Sequence, residues 1–248
     1  MARINPSWFE FNDIRSDSLD VRLMDVHSFA RGEARGTRET AAGRSGEIWL
    51  GDGAFETFEI LRVCRAPAAR LREISAWLRG EGRLRFSGEP GAMYDARVAD
   101  QIEYRRVIPG MAALFEFSVT FVCHPFPRLW PEAEPIAITA SGTPISNPGA
   151  APALPRVEIV GSGDFSLTIG MQTLFFTGVE GGIIVDSELG DALTPDAALL
   201  ANDRINGELF AIQPGYNVVS WLAGGADGDP DSPGSVERVV ITPRWRSL

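Results

Sequence analysis

Residues 113–123, ALFEFSVTFVC, alternate strictly: Ala113, Phe115, Phe117, Val119, Phe121 and Cys123 fall on one side of an extended chain. A period of two marks a strand with one buried face, and this run is the clearest strand in the sequence. SLDVRL alternates through Leu19, Val21 and Leu23, and FETFEILRV, residues 55–63, also reads as a strand. Among them stands one helical pattern, residues 70–79, with Leu71, Ile74 and Leu78 on one face, Arg70, Arg72, Glu73 and Arg79 elsewhere, and Gly80 as the stop. The following RGEGRLRFSGEPGAMY folds back as strands and turns beside that helix. Residues 30–46, ARGEARGTRETAAGRSG, are polar, glycine-rich and without period, which predicts a mobile arm or a long hairpin tip in solvent unless a partner orders it. The N-terminal part is therefore α+β, rich in strands with one helix.

Prolines mark where this part ends. Eight of the 17 prolines fall between Pro125 and Pro155, so the boundary is placed near 126, with domains of 1–126 and 127–248. PIAITA, residues 135–140, alternates through Ile136 and Ile138 and reads as an edge strand, where proline is tolerated. From 156 onward the segments are short and alternating: RVEIVG, FSLTI, TLFF, GIIVD, ELFAI, NVVSWL and VERVVIT, punctuated by Gly, Asp, Asn and Pro. That spacing predicts an all-β sandwich. In NVVSWL, Trp221 shares a face with Asn217 and Val219 and is expected between the sheets, as is Phe210.

Composition narrows the chemistry. All 23 basic residues are arginine, which excludes a P-loop, Schiff-base or protein-kinase lysine. Net charge is -10, and its distribution is uneven: residues 1–145 carry 18 Arg against 20 acids, residues 146–248 carry 5 against 13. A C-terminal part at -8 repels phosphates, so sequence-specific nucleic-acid binding is not expected. No window reaches the ~18 apolar residues of a membrane span, and the start lacks a signal-peptide core; the chain reads as soluble and unexported. Cys64 and Cys123 belong to no C-x-x-C pair and read as buried free thiols.

Candidate motifs resolve into plain structural readings. Asp227, Asp229 and Asp231 alternate as in a calcium loop, but Ser232 and Arg238 stand where the loop needs Gly and Glu. The Gly pairs at 51, 80 and 161 never extend to G-x-G-x-x-G and read as turns. His27 and His124 are the only histidines, and no H-E-x-x-H or G-x-S-x-G occurs. A hydrolase built on paired carboxylates remains open by motif, but no enzyme is expected; no cofactor and no metal are expected either. A carbohydrate-binding sandwich with exposed aromatics is the alternative reading.

The order of segments resembles the distal tail protein family of long-tailed phages. The resemblance rests on FEFNDIRSDSLDVRL at 9–23, DGAFETFEILRV at 52–63, FEFSVTFVCHPF at 115–126, NPGAAPALPRVEIVGSG, GIIVDSE, NDRINGELFAIQPGYNVVSW and VVITPRWR. It departs locally at Asp13, where the family has glycine, and at WLGDG, where a proline-glycine-arginine turn is more usual. The resemblance implies an N-terminal domain that closes into a homohexameric ring and a galectin-like β-sandwich outside it, with no catalytic residues. It implies a virion-tail protein, made in the host cytoplasm. Its partners would be the tail tube protein, the tail hub or baseplate protein, and receptor-binding or fibre proteins. Arg70, Arg72, Trp77, Arg79, Arg83 and Arg85, with Arg31, Arg35, Arg38 and Arg44 of the arm, are the expected interface, since a guanidinium pairs bidentately with carboxylates across subunits.

Overall fold

The computed structural model describes residues 7–25, 31–99, 101–107, 114–224 and 234–247. The chain divides into two compact units, Met1–Trp130 and Pro131–Ser247.

In chain order the first unit contains β1 (Phe9–Phe11), β2 (Ile14–Arg15), β3 (Arg22–Leu23), β4 (Ala34–Glu39), β5 (Ile48–Phe55), β6 (Phe58–Pro67), α1 (Leu71–Trp77), β7 (Glu81–Phe86), β8 (Ala92–Ala99), β9 (Arg105–Arg106), β10 (Leu114–Cys123) and β11 (Arg128–Leu129). Its main sheet has the order β2-β1-β7-β8-β10-β6-β3, with β9 on β10 and β11 on β8. The alternation in β10 works as the sequence predicts: Phe117, Val119, Phe121 and Cys123 are buried. Helix α1 lies on that same face and contributes Ile74, Trp77 and Leu78 to one core with Phe9, Phe11, Leu84, Phe86 and Phe121. Phe9 stacks on Trp77 with centroids 5.2 Å apart, and meets Phe121 edge-on at 5.4 Å. Each buried phenylalanine contributes roughly 2–3 kcal/mol of burial, so this face secures the unit. Gly80 ends the helix with φ +69, a conformation that favours glycine.

Two local expectations change, and one open alternative is decided. SLDVRL is not a continuous strand, because Ser16–Leu19 forms a 3-10 turn that ends with Asp20 in the left-handed region, leaving only β3 extended. Of the two forms allowed for residues 30–46, an arm or a hairpin, the structure has the hairpin over 34–39, where β4 pairs with β5. GDG at 51–53 is not a turn but part of β5, which keeps its place by putting Gly53 at φ +80. Arg62 is a finding that the strand pattern did not announce. It shares the buried face with Ile60 and Cys64, bonds Asp25 at 3.3 Å, and lies over Phe86 at 4.8 Å.

The second unit contains β12 (Ile136–Ile138), β13 (Thr143–Asn147), β14 (Arg156–Ile169), β15 (Gln172–Val179), β16 (Ile183–Asp186), β17 (Asp191–Leu193), β18 (Ile205–Asn206), β19 (Gly215–Ala223) and β20 (Ser235–Thr242). RVEIVG and FSLTI, expected as two strands, are one long strand, β14. Its first half pairs with β20 and β16, and its second half with β19 and β15. Register shifts at Gly161 and Gly163 allow this change of partners, so GSG is a bulge within a strand. The described strands therefore form two layers, β12-β20-β14-β16-β17 and β13-β19-β14-β15-β18, joined through β14. Between them lie Phe165, Leu167, Leu174, Phe176, Val185, Val219 and Ile241, all buried. PIAITA supplies the edge strand β12.

ELFAI does not form a strand; Phe210 and Ile212 are buried, and its β-pairing is limited to one bridge, Ala153 to Ile212, while the Ala211 N–H donates to the Gln172 side chain. Asn147 clamps it there by donating to the carbonyls of Ala151 and Ile212 at 3.2 and 2.9 Å. Trp221 is half-buried rather than enclosed, at a strand end where the neighbouring Leu222 is already exposed. Asp186 is buried and bonds Arg244 through both oxygens at 2.7 and 2.8 Å, which ties the C-terminal segment to β16. His27, Asp227, Asp229 and Asp231 lie outside the described residues.

Candidate assembly surface

The β4–β5 hairpin is exposed along β4 and along most of β5. An isolated two-stranded ribbon is marginal in water, and this one also holds apolar side chains open to solvent. Trp49 and Leu50, adjacent in β5 and so on opposite faces, are each 50% exposed. The Trp49 indole lies across Gly36 and Gly51, where an added Cβ would meet the ring at 2.6 and 2.7 Å, so glycine is what lets the ring lie flat on the ribbon. Arg35 braces the root through Asp52 at 2.5 Å, and Arg38 faces Glu47 at 3.8 Å. The Asp52 carboxyl sits below its ordinary range because Arg35 donates to it, aided by the Ala54 N–H.

Two grooves adjoin the hairpin root. One, of about 700 Å³, is lined by Arg31, Glu33, Arg35, Arg38, Trp49 and Phe58 among others. The other, of about 240 Å³, lies on the solvent face of the main sheet among Glu81, Arg83, Asp95, Arg97 and His124. Thr57 lines both, so hairpin root and sheet face form one continuous, charge-mixed surface. Arg85 points to this face of the sheet as well, pairing with Glu10 at 2.9 Å and covering Trp130 at 4.1 Å.

The ten expected interface residues thus separate. Arg31, Arg35 and Arg38 share the hairpin groove, Arg44 is exposed beyond β4, and Arg83 and Arg85 alternate on the open sheet face. Arg70, Arg72 and Arg79 belong to the helix side. There Arg70 pairs with Glu73 at 2.7 Å and Asp20 at 3.4 Å, Arg79 bonds the Ser75 carbonyl at 2.7 Å, and Arg72 is exposed. Trp77 is a correction: it is buried, and its indole N–H donates to the Phe11 carbonyl at 2.7 Å, so its chemistry is satisfied inside its own core. Trp49 and Leu50 were missed, although the apolar IWL beside a glycine-rich stretch was the available signal.

Cys64 and Cys123 are free, and burial pushes each thiol up to about 12. Among the described residues no three His, Cys, Asp or Glu side chains gather to hold a metal ion, and no helix is long and apolar enough to cross a membrane.

No protein-family model matches the sequence, and no curated protein does. Among solved structures the chain is similar to SPP1 Dit (gp 19.1), described as a paradigm of the hub adsorption apparatus in phages infecting Gram-positive bacteria. The likeness has a TM-score of 0.66 at 13% identity and covers 96% of this chain and 98% of the other. The resemblance drawn from the order of sequence segments therefore extends to the architecture: the chain has the fold of a Dit-type distal tail protein.

Proposed function

We propose that this chain is a distal tail protein of a long-tailed phage, a structural and non-catalytic hub at the tail tip. The observation that carries this reading is the fold likeness to SPP1 Dit across nearly the whole of both chains. In this reading the first unit assembles with further copies of itself into a hexameric ring. The tail tube protein docks on one rim, and the baseplate or tail hub protein, with its receptor-binding or fibre proteins, docks on the other. The genome passes through the lumen.

The hairpin supports the assembly step. A ribbon with apolar side chains on both faces gains most when held between surfaces, and a neighbouring copy offers the charge-mixed groove at its own hairpin root. Charge supports the division of labour: residues 1–145 total -2, whereas residues 146–248 total -8. Near-neutral units pack side by side without strong repulsion, and the acidic sandwich belongs outside. A lumen without a dense basic stripe also lets DNA slide through. Negative-stain imaging of the purified chain tests the reading. Closed rings with a central opening support it, and a monomer at micromolar concentration overturns it.

A further inference from the structure

The second unit carries a groove of mixed lining, with two exposed leucines and two carboxylates at its rim. Between the turn around Gly178–Ile183 and the segment 194–204 lies a depression of about 310 Å³, with Val179, Ile183, Pro195, Leu199 and Leu200 in its lining. Leu199 and Leu200 are 67% and 64% exposed. A lone surface leucine is ordinary, but two adjacent ones beside a groove are not.

These leucines are held outward by an ordered turn. Leu193 faces Leu200 in a β-bridge, Thr194 donates its N–H to Leu199 at 2.9 Å, and Ala201 donates to Ala192 at 2.8 Å. Asp196 closes the loop by accepting from the Thr194 hydroxyl and from the Ala198 N–H at 3.2 Å. The groove is therefore preformed, which lowers the ordering cost of filling it.

Charge selects the occupant. Glu180 and Asp203 stand at the rim, and the one cation in the lining, Arg204, bonds the Gly178 carbonyl and pairs with Asp203 at 3.7 Å, leaving Glu180 and the outer side of the largely exposed Asp203 open. Across residues 146–248 five arginines face 13 acids, and Arg156, Arg244 and Arg246 are likewise held by groups of their own unit. The lining thus carries two carboxylates against one guanidinium, in a unit with a large acidic surplus. The sandwich of a second copy, with the same surplus, fits it poorly.

We propose that this groove docks an extended segment of another protein in which an apolar side chain is flanked by arginine or lysine. The apolar side chain packs against the exposed Leu199 and Leu200, and the cations meet Glu180 and the open side of Asp203. This goes beyond the hub reading and does not depend on ring formation.

The test uses the full chain with methyl-labelled Ile, Leu and Val, titrated with three synthetic heptapeptides. The first has one leucine between two arginine pairs, the second replaces its leucine by serine, and the third replaces its arginines by glutamates. The first peptide should shift the methyls of Val179, Ile183, Leu199 and Leu200, and its affinity should fall about tenfold or more between ~50 mM and ~500 mM salt. The other two should leave those methyls unmoved. Leu200→Ser, at an exposed position, should weaken the first peptide about fivefold or more with an unchanged melting temperature. Shifts confined to other methyls, equal binding of the serine peptide, or undiminished binding by Leu200→Ser would overturn the proposal. So would self-association abolished by Leu200→Ser, which would make the occupant a second copy.

Discussion

Replacing Trp49 and Leu50 together by serine removes the apolar side chains that the hairpin leaves open. A tryptophan side chain offers up to ~250 Å², and at 50% exposure about half of that is available to a neighbour. At ~25 cal/mol per Å² this half contributes ~3 kcal/mol, and the open half of Leu50 adds ~1 kcal/mol. Ordering the hairpin and imperfect fit take back roughly 1–2 kcal/mol. The net is ~2–3 kcal/mol per subunit contact, a weakening on the order of 100-fold. Mass photometry across a dilution series reads this as a shift of the ring-to-monomer midpoint to higher concentration. Both side chains lie on the ribbon and outside the core, so the melting temperature of the dissociated chain should stay within a few degrees. Because Trp49 also covers Gly36 and Gly51, Leu50→Ser alone is the control, with a smaller shift of the same sign. Unchanged midpoints in both variants would refute the role given to the hairpin.

Trp77→Phe should lower the stability of the first unit by about 1–2 kcal/mol, through loss of the bond to the Phe11 carbonyl; if it instead dissociates rings without lowering stability, Trp77 is an interface residue after all. Asp186→Asn breaks a buried pair with Arg244 and should cost roughly 3 kcal/mol in denaturant unfolding. Burial raises the Asp186 carboxyl, but the bonds from Arg244 and the N–H groups of Leu189 and Glu188 outweigh it and hold it below its ordinary value. Its stabilisation is thus complete above the unfolded carboxylate pKa of about 3.9 and disappears as pH falls through the lower folded value. An identical acid-unfolding profile for Asp186→Asn would contradict this. Cys64 and Cys123, on adjacent strands β6 and β10, are displaced by about 20 Å along the sheet and are buried, so at pH 8 a thiol reagent should label neither until the chain unfolds; rapid native labelling of both would show that the core is open.

What was legible in the sequence is what a single face decides. β10 alternates because one side meets α1, and the helix ends at Gly80 because only glycine sits easily at φ +69. The same logic misread Trp221, since alternation assigns a face but not where the covering layer stops. Glycines misled in the other direction: Gly53 and Gly163 look like turns but serve as positive-φ positions inside β5 and β14. ELFAI has strand character in its side chains, yet its backbone partner is a single bridge to Ala153, a long-range fact outside the segment. The arginines of the expected interface were real surface features on both sides of the sheet. Their separation into a helix side and an open-face side follows from the position of α1, which no local pattern contains. Arg62 was visible only in hindsight as the polar member of the series Ile60, Arg62, Cys64, Ala66, with Asp25 its remote partner.

Native mass spectrometry of the full chain, of residues 1–130 and of residues 131–248 tests the central claim most directly. The account predicts closed hexamers for the full chain and for the first fragment, and monomers for the second. Rings formed by residues 131–248, with residues 1–130 and the full chain monomeric or the ring lost when the sandwich is removed, would contradict it.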